Sequence, residues 1–373
     1  MARRDIGTDD PRVRVRPGRG SRPRTKQRPS HADAALGMVT RIDRGHYRIR
    51  LDEPGLTEDS SGNITAMKAR ELGRGKVVVG DRVAVVGDTS GRKGTLARMV
   101  RIEERATLLR RSAEDGDAAG TERAIVANAG KLVIVTAVAD PEPRPRMIDR
   151  YLVAAYDAGM EPLIVLTKTD LADAAPLTDL YGPLGVRCLA TRLSPHVART
   201  EPSQTGGDQR PDDGVEAVRQ LLDGAVSVLV GHSGVGKSTL INALVPGADR
   251  ATGHVNEVTG RGRHTSTSLQ ALELPGGGWV IDTPGVRSFG VSHVGSADVL
   301  RGFPDLANVA EDCPRGCTHE DGVVDCALDA WTGAADGPNA PGASTSPGER
   351  RARVESFRRL LAPSLEAEDP THP

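Results

Sequence analysis

Nine consecutive residues, Gly231-His232-Ser233-Gly234-Val235-Gly236-Lys237-Ser238-Thr239, are of types and at spacings that suit phosphate chemistry. Their glycines let successive backbone N–H groups converge on phosphate oxygens at the start of a helix. Lys237 supplies a cation for the outer phosphates, and the Ser238 hydroxyl is a hard ligand for Mg²⁺. The context fits, because the apolar run Val226 to Val230 leads in and a helical stretch, Thr239 to Leu244, leads out. The segment reads as a nucleotide phosphate loop.

A second element lies in Gly278-Trp279-Val280-Ile281-Asp282-Thr283-Pro284-Gly285. A buried strand here delivers Asp282 to the Mg²⁺ shell, and Gly285 can offer its N–H to a γ-phosphate. Between the two lies Gly260-Arg261-Gly262-Arg263-His264-Thr265-Ser266-Thr267, a glycine-rich polar loop whose Thr could reach Mg²⁺. Thr265 is the candidate, although spacing alone does not choose between it and Thr267.

Thr167-Lys168-Thr169-Asp170 closes the apolar run Pro162 to Leu166. Where Asn-Lys-x-Asp follows a strand, the Asp accepts both N–H groups of the guanine edge and the Lys stem covers the ring. Adenine lacks the exocyclic donor, so Asp170 would select guanine. Thr167 stands where the pattern has Asn, which leaves open how this loop is tied to the rest of the site. In isolation the tetrapeptide could equally cap a helix. The order is also unusual, since the base reader precedes the phosphate loop. Joining the old ends of a compact domain and opening new ones elsewhere gives this order with the same sheet, a circular permutation.

Cys313, Cys317, His319 and Cys326 supply four soft or borderline ligands, enough to close a tetrahedron with no open position. That is a structural Zn²⁺ site rather than a catalytic one. Cys188, remote in sequence, reads as a core residue in a strand.

The elements around these residues fall into blocks. Residues 36 to about 106 alternate apolar and polar in short runs: Gly37 to Ile42, His46 to Leu51, Val77 to Val86 as a strand pair broken at Gly80-Asp81, and Gly94 to Ile102. This suggests a small barrel such as an OB-fold. From residue 123 apolar runs alternate with helical stretches near Met147 to Ala158 and Asp213 to Leu222, the rhythm of a parallel α/β sheet. Ser194 to Gly214 reads as a mobile polar insertion. Residues 333–349 read as a linker, and Glu349 to Leu361 as a short basic amphipathic helix before a tail.

Composition constrains the partners. The chain has 373 residues and a net charge of −1, with only three Phe, two Trp and four Tyr. So few aromatics disfavour RNA reading by rows of stacking rings. Neutrality does not exclude nucleic acid, because the charge is uneven. Residues 1–30 hold ten basic side chains against three acidic, and residues 31–110 hold fifteen against eleven. Such an arm is disordered when free and binds phosphate with counterion release. No apolar run approaches the roughly 20 residues of a spanning helix, and no apolar segment comes after the basic N-terminus. The expected setting is a reducing cytoplasm, with no membrane partner.

Together these motifs resemble the ribosome small-subunit-dependent GTPases of the RsgA (YjeQ) family over about residues 35–330. The resemblance also takes in Ile148-Asp149-Arg150-Tyr151-Leu152 and Phe289-Gly290. It implies a fold and five segments: a basic arm (1–34), an OB-fold RNA-binding domain (35–108), a circularly permuted P-loop GTPase domain of α/β class (120–292), a zinc-binding helical domain (293–332), and a linker, short helix and tail (333–373). It implies hydrolysis of GTP to GDP, stimulated by the small (30S) ribosomal subunit late in its maturation, with rRNA as partner, Mg²⁺ and one structural Zn²⁺ as cofactors, and a monomeric state. Loss of the γ-phosphate is then expected to relax the loops at His264 and Gly285, re-angle the zinc domain and promote release. Two departures stand out. The family's Ser-Ala element behind the base appears as Thr191-Arg192-Leu193, and no role is carried over to it. Val286 stands where many GTPases place a water-orienting Gln, and the resemblance points instead to His264, with Lys237 and Gly285, as the catalytic set. The alternative for His264 is a loop histidine contacting ribosome or phosphate. Two rival classes are an ATP-dependent kinase or ATPase, opposed by Asp170, and an RNA-binding assembly module with a vestigial nucleotide site.

Overall fold

A computed structural model describes residues 31–58, 61–73, 76–111, 123–193, 214–248, 269–283, 294–333 and 346–361. Five strands form the first block: β1 (Ala35–Asp43), β2 (His46–Leu51), β3 (Asn63–Lys68), β4 (Arg82–Gly87) and β5 (Ala97–Ile102). They pair in the order β1-β2-β3-β5-β4, and β4 returns to β1 to close the barrel. β1 can serve both neighbours because its register shifts between Val39 and Arg41, a bulge that bends the strand. Val39, Ile49, Ile64, Ala66, Val83, Val85 and Met99 fill the interior. This is the expected OB-type barrel.

The structure corrects the strand pattern in two places. Val77 to Val79 do not pair as a strand, because the Asp81 carboxylate turns back to accept the Val78 N–H at 2.8 Å. Asp81 is fully buried and paired with Arg105 at 2.7 Å. The released Val79 instead bridges Val126 of the next module. β3 was not legible as a strand, since only Ile64 and Ala66 of its six residues face the core. A hairpin of β6 (Leu108–Arg111) and β7 (Arg123–Ala127) then leads out of the barrel.

The nucleotide-motif block is a six-stranded sheet in the order β10-β9-β8-β11-β13-β12. Its strands are β8 (Lys131–Ala137), β9 (Glu161–Thr167), β10 (Arg187–Ala190), β11 (Val226–Val230), β12 (Gln270–Glu273) and β13 (Trp279–Asp282). All pairings are parallel except β12 with β13. Side chains alternate between the two faces, as the period of two requires. Val133, Val135, Leu163, Val165 and Leu229 pack under α3 (Val215–Leu222) and α4 (Lys237–Leu244). Leu132, Ile134, Ile164, Leu166, Val228 and Val230 pack on the other face with α1 (Pro145–Asp157). α2 (Ala175–Tyr181) precedes β10. Edge strand β12 also pairs with β1 of the barrel at Gln270 and Arg41, so the two sheets run on.

Helices α5 (Ser296–Leu300), α6 (Pro304–Ala310), α7 (Ala327–Gly333) and α8 (Pro347–Leu361) complete the described chain. The basic helix foreseen at the C-terminus is α8, and it is an interior element. Its Val354, Phe357, Leu360 and Leu361 share one core with Leu152 of α1 and Leu306 of α6. The scarce aromatics gather at this seam: Phe303 stands 4.7 Å from Tyr156 and 5.5 Å from Phe357, centroid to centroid. No described helix is long and apolar enough to cross a membrane.

The joint between barrel and sheet generates a test. Gly80 has φ +89°, and a Cβ there would lie 2.0 Å from the Ala127 carbonyl oxygen. Gly87 has a similar φ of +94° but open space around it. Gly87→Ala is expected to cost about 1 kcal/mol, the left-handed penalty alone. Gly80→Ala should cost at least twice that, because backbone must move as well. Urea unfolding midpoints of the two variants compare them directly.

Candidate functional site

The chain moves outward from β8 through β9 to β10, then returns to place β11 on the other side of β8. Where strand order reverses in this way, the loops at the carboxyl ends diverge and leave a crevice. The phosphate loop occupies it, running from the end of β11 into α4. Gly231 is required at its start, since a Cβ would meet the Val135 carbonyl oxygen of β8 at 2.4 Å. Gly234 and Gly236 take positive φ, and α4 begins at Lys237 with its first N–H groups facing the loop. The Lys237 ammonium donates to the Thr283 carbonyl at 3.1 Å and lies 3.4 Å from the Asp282 carboxylate. Thr283 is anchored in turn by its hydroxyl, which donates to Leu229 O at 2.7 Å. A helix N-terminus, a cation and a buried carboxylate thus converge. Such a site can hold a polyphosphate and its counter-cation.

Thr167 to Asp170 leave the end of β9 beside this loop. Thr167 is buried, and its hydroxyl lies 2.5 Å from the Val235 carbonyl and 3.2 Å from the Thr136 carbonyl. The residue that replaces Asn therefore still ties this loop to the phosphate loop. Lys168, at φ +57°, donates to the carbonyl of Asp140. Thr169 is held by Thr191: its N–H and hydroxyl both donate to Thr191 O, at 3.4 and 3.0 Å. Thr191 is itself buried, and its N–H donates to Leu166 O at 2.7 Å. Asp170 is exposed at the mouth. His232, within the phosphate loop, packs toward Arg144; burial, and then that charge, hold its imidazole below the usual histidine range.

Ser238, Thr239 and Asp282 lie among the described residues, and the hydroxyl and carboxylate oxygens of Ser238 and Asp282 are the hard donors that suit Mg²⁺. His264, Thr265, Gly285 and Phe289-Gly290 lie outside them, as do the basic arm and nearly all of the Ser194 to Gly214 insertion. Sequence reasoning did not find the roles of Asp140, Val235, Thr191 and Thr283. All four act through backbone carbonyls, which carry no residue-type signal.

The ligand atoms of Cys313, Cys317, His319 and Cys326 all lie within 4.8 Å of one another. His319 Nδ1 is 3.6 Å from Cys313 Sγ and 3.9 Å from Cys326 Sγ. A tetrahedral Zn²⁺ with ordinary bond lengths requires S···N separations of about 3.6 Å. The donor set and its spacing therefore fit such an ion. Burial pushes the Cys313 thiol up to about 11, so binding there would release protons. Burial and the nearby Arg358 keep His319 below the usual range, which suits a neutral imidazole ligand. Cys188 lies on β10, half-buried, where burial raises its thiol to about 11.

The Thr167 contact is testable. Thr167→Val keeps the shape but removes the donor that serves two buried carbonyls, at a cost of about 1–3 kcal/mol. GDP affinity is expected to fall about tenfold or more, while Thr167→Ser retains it. Fluorescent-nucleotide titration of the two variants reads the difference.

Comparison with known proteins closes the question of family. The RsgA GTPase family model matches residues 102–292. The small ribosomal subunit biogenesis GTPase RsgA of Ectopseudomonas mendocina (strain ymp) is 37% identical over 290 residues, covering 76% of this chain and 77% of that protein. Its namesake in Pseudomonas fluorescens (strain SBW25) is 36% identical with the same coverage. The crystal structure of YjeQ from Thermotoga maritima superposes with a TM-score of 0.57 at 23% identity, over 88% of this chain and 98% of that one. That of YloQ, a circularly permuted GTPase, gives 0.56 at 19% identity, over 90% and 97%. These two likenesses establish the fold, that of a permuted sheet. With a family model over the nucleotide-binding sheet and relatives aligned along three quarters of its length, this chain belongs to the RsgA GTPase family.

Proposed function

We propose that the protein hydrolyses GTP to GDP and phosphate on the small (30S) ribosomal subunit, which stimulates it, and acts late in the maturation of that subunit. The observation that carries this reading is the convergence of a phosphate loop and a Thr-Lys-Thr-Asp loop at one switch point, joined by the Thr167 hydroxyl, in a member of the RsgA GTPase family. Relatives named for small-subunit biogenesis supply the biological setting and with it a cytoplasmic one.

In this reading Asp170 accepts the N–H groups of the guanine edge, the Lys168 stem lies over the ring, and Thr167 and Thr169 fix their loop. Backbone N–H groups from Gly231 to Thr239 cradle the phosphates, and Lys237 draws charge from the outer ones. Ser238, Asp282 and Thr265 would hold Mg²⁺, which would neutralise charge on the phosphate oxygens. Gly285 donates its N–H toward the γ-phosphate, and His264 orients or deprotonates the attacking water. Cys313, Cys317, His319 and Cys326 hold one structural Zn²⁺. The protein works as a monomer.

The basic arm and the barrel would each contact rRNA phosphates. A groove of about 710 Å³ on the barrel is lined by Lys68, Arg70 and Arg98 together with Met67 and Leu96. Met67, exposed, lies between His46 and Arg98 in the cross-strand register, so an imidazole and a guanidinium flank an apolar side chain. Phosphate contacts and shape, rather than aromatic stacking, suit rRNA to this face.

GTP turnover with and without purified small subunits tests the reading, which expects marked stimulation by the subunit and little by free RNA. An unstimulated rate would leave a nucleotide-binding protein with another partner. Lys237→Ala should lower stimulated turnover by on the order of 10²-fold or more. Arg70→Glu with Arg98→Glu should weaken subunit binding by about tenfold at physiological salt and flatten its salt dependence, as measured by co-sedimentation.

A further inference from the structure

We infer that Arg358 of α8 is the positioning residue of the Cys313–Cys317–His319–Cys326 metal centre; the inference rests on the metal-site reading given above. Its Nε donates to the His319 carbonyl at 3.0 Å. Its two terminal nitrogens bond both carboxylate oxygens of Asp329, at 2.7 and 2.8 Å. Asp329 lies in the first turn of α7, the helix that starts immediately after Cys326. One planar guanidinium therefore joins the loop that presents His319 to the helix that directly follows Cys326, in the fork geometry that a lysine cannot reproduce. Asp321 Oδ1, 3.5 Å away and almost fully exposed, is the remaining carboxylate near it.

Two features show what this grip controls. His319 sits at φ +61°, a backbone conformation that a non-glycine residue keeps only where its surroundings over-determine it. The bond from Arg358 to that residue's own carbonyl is such a determinant, and it fixes the direction from which Nδ1 approaches the three sulfurs. Three thiolates and a neutral imidazole around a divalent ion carry one net negative charge, which a half-buried arginine offsets.

The helix that bears Arg358 is itself anchored elsewhere. Arg359, the next residue, donates to Leu180 O at 3.3 Å, approaches Asp149 of α1 at 3.4 Å, and lies over the Tyr181 ring at 5.1 Å. Arg353 bonds both oxygens of Asp305, at 2.6 and 2.7 Å, and donates to Pro183 O at 2.9 Å. Arg359 fastens α8 to the sheet side and Arg353 fastens it both to α6 and to Pro183, whereas Arg358 reaches the Cys/His loop. The two functions should separate by mutation.

The experiment uses the full-length protein under reducing, anaerobic conditions. Co²⁺ titration reports tetrahedral coordination through its visible d–d bands, and Zn²⁺ competition against a chromogenic chelator gives affinity. Arg358→Gln is expected to weaken Zn²⁺ binding by about ten- to a hundredfold and to alter the Co²⁺ spectrum. Arg358→Lys should recover only part of the loss. Asp329→Asn, which removes the carboxylate that orients the guanidinium, should shift affinity in the same direction, and serves if Arg358→Gln does not fold. Arg353→Gln, on the same helix, should lower the thermal midpoint and leave metal affinity unchanged. Wild-type affinity and spectrum in Arg358→Gln would overturn the inference, as would an equal loss in Arg353→Gln. A wild-type protein that binds neither Co²⁺ nor Zn²⁺ would overturn the metal-site reading itself.

Discussion

The side-by-side, parallel pairing of β8 with β11 is the constraint on which the rest depends. Leu229 opposite Val133 and Val230 opposite Ile134 set the register. That register brings the carboxyl ends of β11, β9 and β13 to one edge of the sheet, where the phosphate loop, the Thr167 loop and Asp282 emerge. The close approach of Gly231 to the Val135 carbonyl and the bond from Thr167 to Val235 are consequences of it. Chain order is secondary: the sheet requires only that these strands be neighbours in space, so a permuted connection builds the same crevice.

Permutation changes which elements the chain enters after leaving the site. The strand that ends in Asp282 leads toward α5, α6 and the loop of the Cys313–Cys317–His319–Cys326 cluster, and the chain then returns through α8. That helix is held by charge as well as by apolar packing. Arg350 is buried and donates to Trp331 O at 3.3 Å, and Arg353, Arg358 and Arg359 each span two separate segments. Arg350, Arg353, Arg358 and Arg359 are struts while Arg351 is exposed, and the sequence carries its excess of basic side chains in residues 1–30 and 31–110. The chain's net neutrality averages these regions with acidic ones.

Legible in the sequence was whatever residue type alone determines. Val226–Val230 can be placed to the residue, because a buried parallel strand needs a predominantly apolar run, here interrupted only by the buried Ser227. The cluster of Cys313, Cys317, His319 and Cys326 was legible because few other patterns place three Cys and a His so closely. β3 and β12 were hidden, being short strands that bury only two side chains and one, whereas the strand around Cys188 was foreseen and is β10. Val77 to Val79 resemble a strand by composition, but the buried Asp81 side chain takes the Val78 N–H that a ladder would use. α8 resembles a solvated basic face, since pattern alone cannot show that Asp149, Asp305 and Asp329 await its arginines. The substitution of Thr167 for Asn leaves the tie between the two loops open in the sequence, and geometry settles it: a short hydroxyl reaches the Val235 carbonyl because β9 ends close to it.

The central claim is that these loops assemble one guanine-nucleotide site, with Asp170 as its discriminating group. Competition of GDP, ADP and XDP for a bound fluorescent GDP analogue tests it most directly, in the wild type and in Asp170→Asn. The account predicts that GDP displaces the probe from the wild type at least about a hundredfold more effectively than ADP, because Asp170 would otherwise lose both of its donors. In Asp170→Asn, GDP should weaken and XDP should gain, since xanthine offers an acceptor where guanine offers an amino donor. Equal displacement by ADP and GDP in the wild type, or an Asp170→Asn variant with unchanged preference, would contradict it.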